Sequence, residues 1–408
     1  MRCGNAFAVS VPRHIGFDRV LPPANCGIVR VPYTEYKERG PNMALTERER
    51  QILSWIEQNP MISQNDLAEL CGITRSGVAA HISNLMRKGY IQGKGYVLTP
   101  ARYVAVIGAI NMDVYGFADN DVVGDSSNVG HIVSAVGGIA RNISYNLGCL
   151  GVRNYLISVY GDDEYGEQVR SDALANGIDI THSKRVPHAS TSRYLSVVDV
   201  RGRQIVGLDD MEISKRITPE FLEQHKQVIA RADAVVIDSS LPAETLAWIC
   251  EVVSKPIYAR VVSVNKAARL VPELCHIDTL VLSNAESRLI SGIAVHDECT
   301  ARMCMQSLAS AGVKHVLMFV KGVGLMYQGD NDIHIEPWPT FDDAGAPYEN
   351  GAVSAALSVL LWARWEERSD GESVRLAAVA AALNMRHATS VFPELSSELL
   401  AKHSGLRS

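Results

Sequence analysis

Tyr103-Val104-Ala105-Val106-Ile107-Gly108 is an unbroken apolar run closed by a glycine, and it reads as a strand covered on both faces. From there apolar strands alternate with amphipathic helices: a strand over 154–159 and a helix over 166–176, then strand 234–237 and helix 243–253, then strand 257–261. Strand 279–282 with helix 286–291 and strand 316–319 with a hairpin to 335 continue the pattern, and two long helices start at Gly351 and Val374. Such alternation predicts an α/β fold, a doubly wound parallel sheet with helices on both faces, over residues 101–402. Two stretches, near 113–133 and 190–208, alternate apolar and polar residues with period two and lack an intervening helix. They predict a small antiparallel sheet projecting as a lid over the crevice at the carboxyl ends of the strands.

Upstream, the period is helical. Thr46 caps a helix with Glu49 three residues on, and Ile52, Leu53 and Ile56 share one face until Asn59-Pro60 stops it. Ser63 opens a second helix with Leu67 and Leu70 inward. Cys71-Gly72-Ile73 turns the chain, and Thr74 opens a third with Val78, Ile82 and Leu85 inward. Two helices about a tight glycine turn make a helix-turn-helix unit. The glycine-centred stretch over 90–98 then resembles the wing of bacterial winged helix-turn-helix regulators, giving a domain over 43–100. The resemblance implies DNA as a partner, with Thr74, Arg75, Ser76, Arg87, Lys88 and Lys94 as contacts to bases and phosphates. This region holds 6 basic and 5 acidic residues, a net of +1, so one copy would bind weakly and a homodimer is expected. A module that only mediates dimerisation is the alternative.

The 408 residues carry 39 Lys+Arg against 45 Asp+Glu, a net charge of -6, which excludes a polybasic nucleic-acid or membrane-surface protein. Eight cysteines stand singly without metal-site spacing, as reduced thiols in a cytoplasmic protein do. The apolar runs are shorter than the roughly 18 residues that span a bilayer, so no membrane partner is expected. Residues 1–42 hold 5 of the 16 prolines and show no period, and they are expected to be a disordered leader or tail, with Met43 as a candidate start.

The chemistry concentrates in two places. Gly108-Ala109-Ile110-Asn111-Met112-Asp113 ends the first strand with a carboxylate able to accept hydroxyl hydrogen bonds from a ribose or hexose. In Val136-Gly137-Gly138-Ile139-Ala140-Arg141-Asn142, two glycines open a helix, where backbone N–H groups face outward and Asn142 reaches a polyol one turn in. These segments, with Gly161-Asp162-Asp163…Gly166, Gly177-Ile178 and Thr191-Ser192 before Gly202, resemble the PfkB, ribokinase-like, carbohydrate and nucleoside kinases over about 103–395. Asp209 to Ile213, Val262 to Ala267 and Ser390 to Ser396 are similar to the pseudouridine-kinase-like branch, several of whose members carry an amino-terminal winged helix. The resemblance implies Mg2+-dependent transfer of the ATP γ-phosphate to a sugar or nucleoside hydroxyl. Asp113, Gly137, Gly138 and Asn142 match the substrate-binding positions. Asn284 and Glu286 lie near the family's N-x-x-E motif, with Glu286 as the metal candidate, and Lys321, Gly322 and Gly324 lie in its nucleotide-binding turn.

The departures fall on the catalytic side. The family's GAGD helix start supplies anion-binding N–H groups and a basic Asp; an ungapped alignment puts Tyr348-Glu349-Asn350-Gly351 there, with Gly351 at the base position. Glu349, Asp342 and Asp343 are possible substitute bases, against a plain reading as solvated loop acids. The N-x-x-E spacing is one residue short (Asn284-Ala285-Glu286), an expected strand-end Asp is Arg260, and the expected Thr-x-Gly is Phe319-Val320-Lys321. Three readings follow: a working kinase fused to a DNA-binding domain, a sugar- or nucleoside-sensing transcriptional regulator with a catalytically inactive kinase domain, and a product that has lost both activities.

Overall fold

The computed structural model describes residues 45–59, 62–88, 90–91, 102–201, 203–339, 351–387 and 389–405. Residues 1–42, read above as a leader or tail, Met43, Lys94 with most of the stretch read as a wing, and Asp342, Asp343, Glu349 and Asn350 lie outside the described residues.

Three helices form the amino-terminal module: α1 (Glu47–Gln58), α2 (Gln64–Cys71) and α3 (Arg75–Arg87). Thr46 and Glu49 make the expected capping box, Ser63 and Asp66 a second, and Thr74 Oγ1 accepts the Gly77 N–H at 3.1 Å. Ile52, Ile56, Leu67, Val78, Ile82 and Leu85 close a small core. Leu70 departs from expectation: it is 46% exposed, because Cys71, four residues after Leu67, is the side chain that joins Leu67 on the buried face.

The strands of the large domain are β1 (Val104–Ile107), β2 (Asn111–Ala118), β3 (Gly130–Gly137), β4 (Asn154–Ile157), β5 (Val159–Gly161), β6 (Lys184–Val186) and β7 (Arg193–Val198). They continue as β8 (Gln204–Asp210), β9 (Ala234–Asp238), β10 (Ile257–Arg260), β11 (Thr279–Ser283), β12 (His315–Val320), β13 (Gly324–Gln328) and β14 (Ile333–Glu336). Between and after them run α4 (Ile139–Cys149), α5 (Glu164–Ala175), α6 (Pro219–Glu223), α7 (Lys226–Arg231), α8 (Ala243–Val252), α9 (Val264–Ala267), α10 (Ser287–Ser291) and α11 (Glu298–Ser310). The chain closes with α12 (Ala352–Trp365), α13 (Asp370–Asn384) and α14 (Ser397–Ser404).

The main sheet has the order β14-β13-β12-β11-β10-β9-β1-β4, parallel from β4 to β12 with an antiparallel hairpin at the far edge. Val104 and Val106 enter the core beneath α4, α12 and α13, while Ala105 and Ile107 enter the core of the opposite face. Burial on both faces is why this strand is apolar throughout rather than alternating. The strand order reverses at β1, which lies between β4 and β9, so the crevice above Gly108 and Asp238 is the topological switch point where ligands of such sheets bind.

The projecting sheet has the order β3-β2-β7-β8, with two antiparallel pairings joined by a parallel seam between β2 and β7. The strand read over 154–159 instead breaks at Ser158, whose N–H donates to Ser183 Oγ at 3.0 Å and whose hydroxyl donates to the Gly108 carbonyl at 2.6 Å. Val159 onward then pairs with β6 in a separate ribbon. The last long helix starts at Asp370, earlier than Val374, because Ser369 and Glu372 form a capping box. Among the described residues no helix is long and apolar enough to cross a membrane.

Candidate active site

Asp113 sits on β2 of the smaller four-stranded sheet, and its carboxylate is buried. Asn111 Nδ2 donates to Oδ1 at 2.6 Å and the Tyr115 hydroxyl donates to Oδ2 at 3.1 Å. Burial pushes the carboxyl up to about 6, against the opposing pull of those two donors and of Arg141. A β-carbon on Gly137, in the neighbouring strand, would stand 2.1 Å from Asp113 Oδ2, so only glycine leaves the carboxylate room.

Gly138 opens α4, placing Asn142 one turn in. Asn142 Oδ1 accepts from Arg141 at 3.2 Å and from the Ser390 hydroxyl at 3.3 Å. Arg141 is itself fixed by a two-point contact to Asp172, at 2.9 Å and 2.6 Å. Gly351 opens α12, which packs against α4: Ser358 Oγ donates to the Ile143 carbonyl at 3.4 Å. Both helices therefore begin with a glycine that has no side chain to cap their first N–H groups, an arrangement suited to anions. Ser390 joins the two sides, because its carbonyl oxygen accepts from Asn384 Nδ2 at 3.4 Å and lies against Gly351. The residues read for the sugar side and the phosphoryl side thus share one bridging serine, which the sequence reading placed in a landmark without assigning it a contact.

The floor of the crevice carries charges at the ends of adjacent strands. Asp238 and Arg260 are register partners on β9 and β10. Both are buried; Asp238 Oδ1 accepts the Ser240 N–H at 2.7 Å, while Asp238 Oδ2 and one Arg260 guanidinium nitrogen have no hydrogen-bond partner among the described residues. Burial raises the Asp238 carboxyl and lowers the Arg260 guanidinium, with Glu286 and Asp238 pulling the latter back up. Glu286 Oε2 is taken by Ser283, whose N–H and hydroxyl donate at 2.7 Å and 2.6 Å. Asn284 is anchored through its N–H to the Phe319 carbonyl at 3.0 Å, next to the turn where Lys321 and Gly322 are exposed and Gly324 is buried. Asp238 was missed from sequence because the strand was read to end at Ile237; its signal is a lone acid closing an apolar run.

Two motif segments turn out to build the frame. Asp163 caps α5 through the Gly166 N–H at 2.9 Å and accepts the N–H and hydroxyl of Thr191 at 2.8 Å and 2.5 Å, fixing the approach to β7. Lys266 meets Asp209 of β8 at 2.5 Å.

In the amino-terminal module Thr74, Arg75, Ser76 and Arg87 are exposed on α3 and its cap. Lys88 is a correction: it is buried, with Nζ 2.8 Å from Glu49, because α1 supplies an otherwise uncompensated interior carboxylate there. It is therefore withdrawn from the DNA-facing set.

Residues 101–395 match the pfkB family carbohydrate kinases, and residues 45–92 match a winged helix-turn-helix DNA-binding family. An uncharacterized sugar kinase, YeiI, of Escherichia coli K12 is 32% identical over 87% of this chain and 98% of its own length. The pseudouridine kinase of the same organism is 31% identical over 72% of this chain and 94% of its own. Among solved structures, a carbohydrate kinase from Agrobacterium tumefaciens superposes with a TM-score of 0.64 at 25% identity, covering 75% of this chain and 98% of that one. Arabidopsis thaliana ribokinase complexed with ribose and ATP superposes with a TM-score of 0.65 at 17% identity, covering 76% and 100%.

Proposed function

The chain belongs to the pfkB family of carbohydrate kinases, with a winged helix-turn-helix domain fused ahead of the kinase domain, and from that premise we propose that it transfers the ATP γ-phosphoryl to a hydroxyl of a pseudouridine-like nucleoside or a sugar. The observation that carries this reading is the Asp113 carboxylate, buried at the root of the lid with Gly137 cleared beside it and Asn142 on the adjoining helix. Asp113 and Asn142 receive substrate hydroxyls, and Gly137 and Gly138 let the substrate approach the backbone. The glycine-opened amino termini of α4 and α12 fit a phosphate, and exposed Lys321 with Gly322 and Gly324 borders the nucleotide. Glu286, fixed through the two Ser283 hydrogen bonds to its Oε2, is the residue that would hold magnesium, with Asn284 beside it. Bound MgATP supplies the phosphoryl group and the charge that neutralises its transfer. Gly351 offers backbone N–H character and no base; Glu349 and Asn350 are the nearest candidates in sequence to receive or position the hydroxyl proton.

A second reading is favoured by one observation. The Ser390 carbonyl fills the space a side chain at position 351 would need, so no carboxylate works from there. On this reading the domain binds the sugar or nucleoside and signals it through a cytoplasmic, dimeric DNA-binding form in which two modules read two half-sites. The test is phosphoryl transfer with MgATP and a panel of ribose, hexoses, uridine and pseudouridine, with thermal shift on the same panel. Turnover with one member is the expected result. A compound-specific shift without turnover leaves the sensing regulator, and neither response sinks both readings.

A further inference from the structure

Away from the crevice, α8 and the 3-10 helix Ala268–His276 converge at their carboxyl ends, where the chain re-enters the sheet. Cys250 of α8, Glu273 and His276 each offer a ligand atom there, and the three atoms lie within 4.8 Å of one another. Glu273 Oε2 is 3.5 Å from His276 Nδ1; the exposed Cys275, whose Sγ is 3.5 Å from the same nitrogen, stands outside the trio. A tetrahedral zinc ion with bonds of about 2.0–2.3 Å has ligand-to-ligand edges of about 3.3–3.8 Å, and the separation between Glu273 and His276 falls in that interval.

Thiolate, imidazole and carboxylate together select zinc over magnesium or calcium, which take oxygen alone. Cys250 and Glu273 come from different elements, and their ligand atoms already face each other within 4.8 Å. His276, with a half-exposed side chain, leaves an entry path from solvent. We infer that Cys250, Glu273 and His276 form a zinc(II) site, with water completing the tetrahedron, that ties α8 to the segment leading into β11. The Cys250 thiol, on becoming a ligand, forms a Zn–S bond and releases its proton to solvent.

The test uses the full chain, reduced and stripped with a chelator, titrated with Zn2+ against a chromophoric competitor and separately with Co2+. One equivalent of zinc is expected to bind, raising the melting midpoint, and the Co2+ complex is expected to show a thiolate charge-transfer band. His276→Gln, at an exposed position, is expected to weaken zinc binding at least roughly tenfold and to remove the melting shift. Cys250→Ser should diminish the cobalt band. The inference is overturned if His276→Gln binds zinc as tightly as the parent chain, or if the cobalt complex lacks the thiolate band.

Discussion

The carbonyl oxygen of Ser390 lies 1.9 Å from the point where a β-carbon would stand on Gly351. Gly351 also has φ 84°, in the left-handed region, and Asn384 Oδ1 would be 2.9 Å from the same β-carbon. Any side chain at position 351 must displace the loop that carries Ser390, and with it the hydroxyl held by Asn142.

Gly351→Ala is therefore expected to destabilise the protein by about 2 kcal/mol or more, read by urea unfolding. Gly351→Asp should do at least as much and should lower, not raise, any phosphoryl transfer. An aspartate variant of parental stability and higher turnover would refute this account of the α12 start.

Asp113 carries a cost that its removal should reveal. Its folded pKa, about 6, is above the ordinary 3.8, so the folded protein binds more protons than the unfolded chain between those values. Stability falls as pH rises through that window and stays reduced above it. Asp113→Asn is expected to stabilise the apo protein by roughly 2 kcal/mol at pH 8, with the gain shrinking towards pH 4, while abolishing the substrate-induced thermal shift. For the parent chain, substrate affinity should decline below about pH 6 as the carboxylate protonates. A variant that keeps the substrate shift would remove Asp113 from the binding site.

In the winged helix module, charge at the surface and charge in the core should separate cleanly. Arg75→Ala and Arg87→Ala are each expected to weaken DNA binding and to reduce the slope of log affinity against log salt by about 1, with no loss of fold. Lys88→Ala leaves Glu49 buried without its cation and should cost roughly 3 kcal/mol of module stability. Equal salt slopes for Arg75→Ala and the parent chain would take α3 out of the DNA interface.

The sheet was legible because burial on both faces writes itself as unbroken apolar runs, as in Val104–Ile107, and the start of α4 because Gly137, Gly138 and Asn142 form one short local motif. What stayed hidden depends on contacts distant in sequence. Ser390 touches Asn142 across 248 positions, and Lys88 finds Glu49 across 39. Neither partner choice leaves a periodic trace. The break at Ser158 was equally silent, since its cause is a hydroxyl to the Gly108 carbonyl rather than a turn residue.

His315, at the start of β12, holds a charge cluster at the end of the sheet remote from the crevice. Its Nδ1 is 3.2 Å from Asp278 Oδ1 and its Nε2 is 2.9 Å from Asp330 Oδ1, with Arg364 3.4 Å from the same Asp278 oxygen. Burial pulls the imidazole pKa down, but the two carboxylates outweigh it and hold the net shift upward. Burial likewise pushes Asp278 up, and the hydrogen bonds from His315 and Thr279 overcome it, bringing the carboxyl down to about 2. The signs differ. The raised imidazole stabilises fully below its unfolded pKa near 6.5, and that contribution is lost as pH rises through the folded value. The depressed carboxyl stabilises above 3.8, and its contribution is lost as pH falls through about 2. His315→Gln is thus expected to cost roughly 3 kcal/mol at pH 5.5 and less at pH 9, as followed by urea unfolding across that range. A cost independent of pH would mean that His315 is neutral in the fold and that Arg364 and Lys314 balance Asp278 without it.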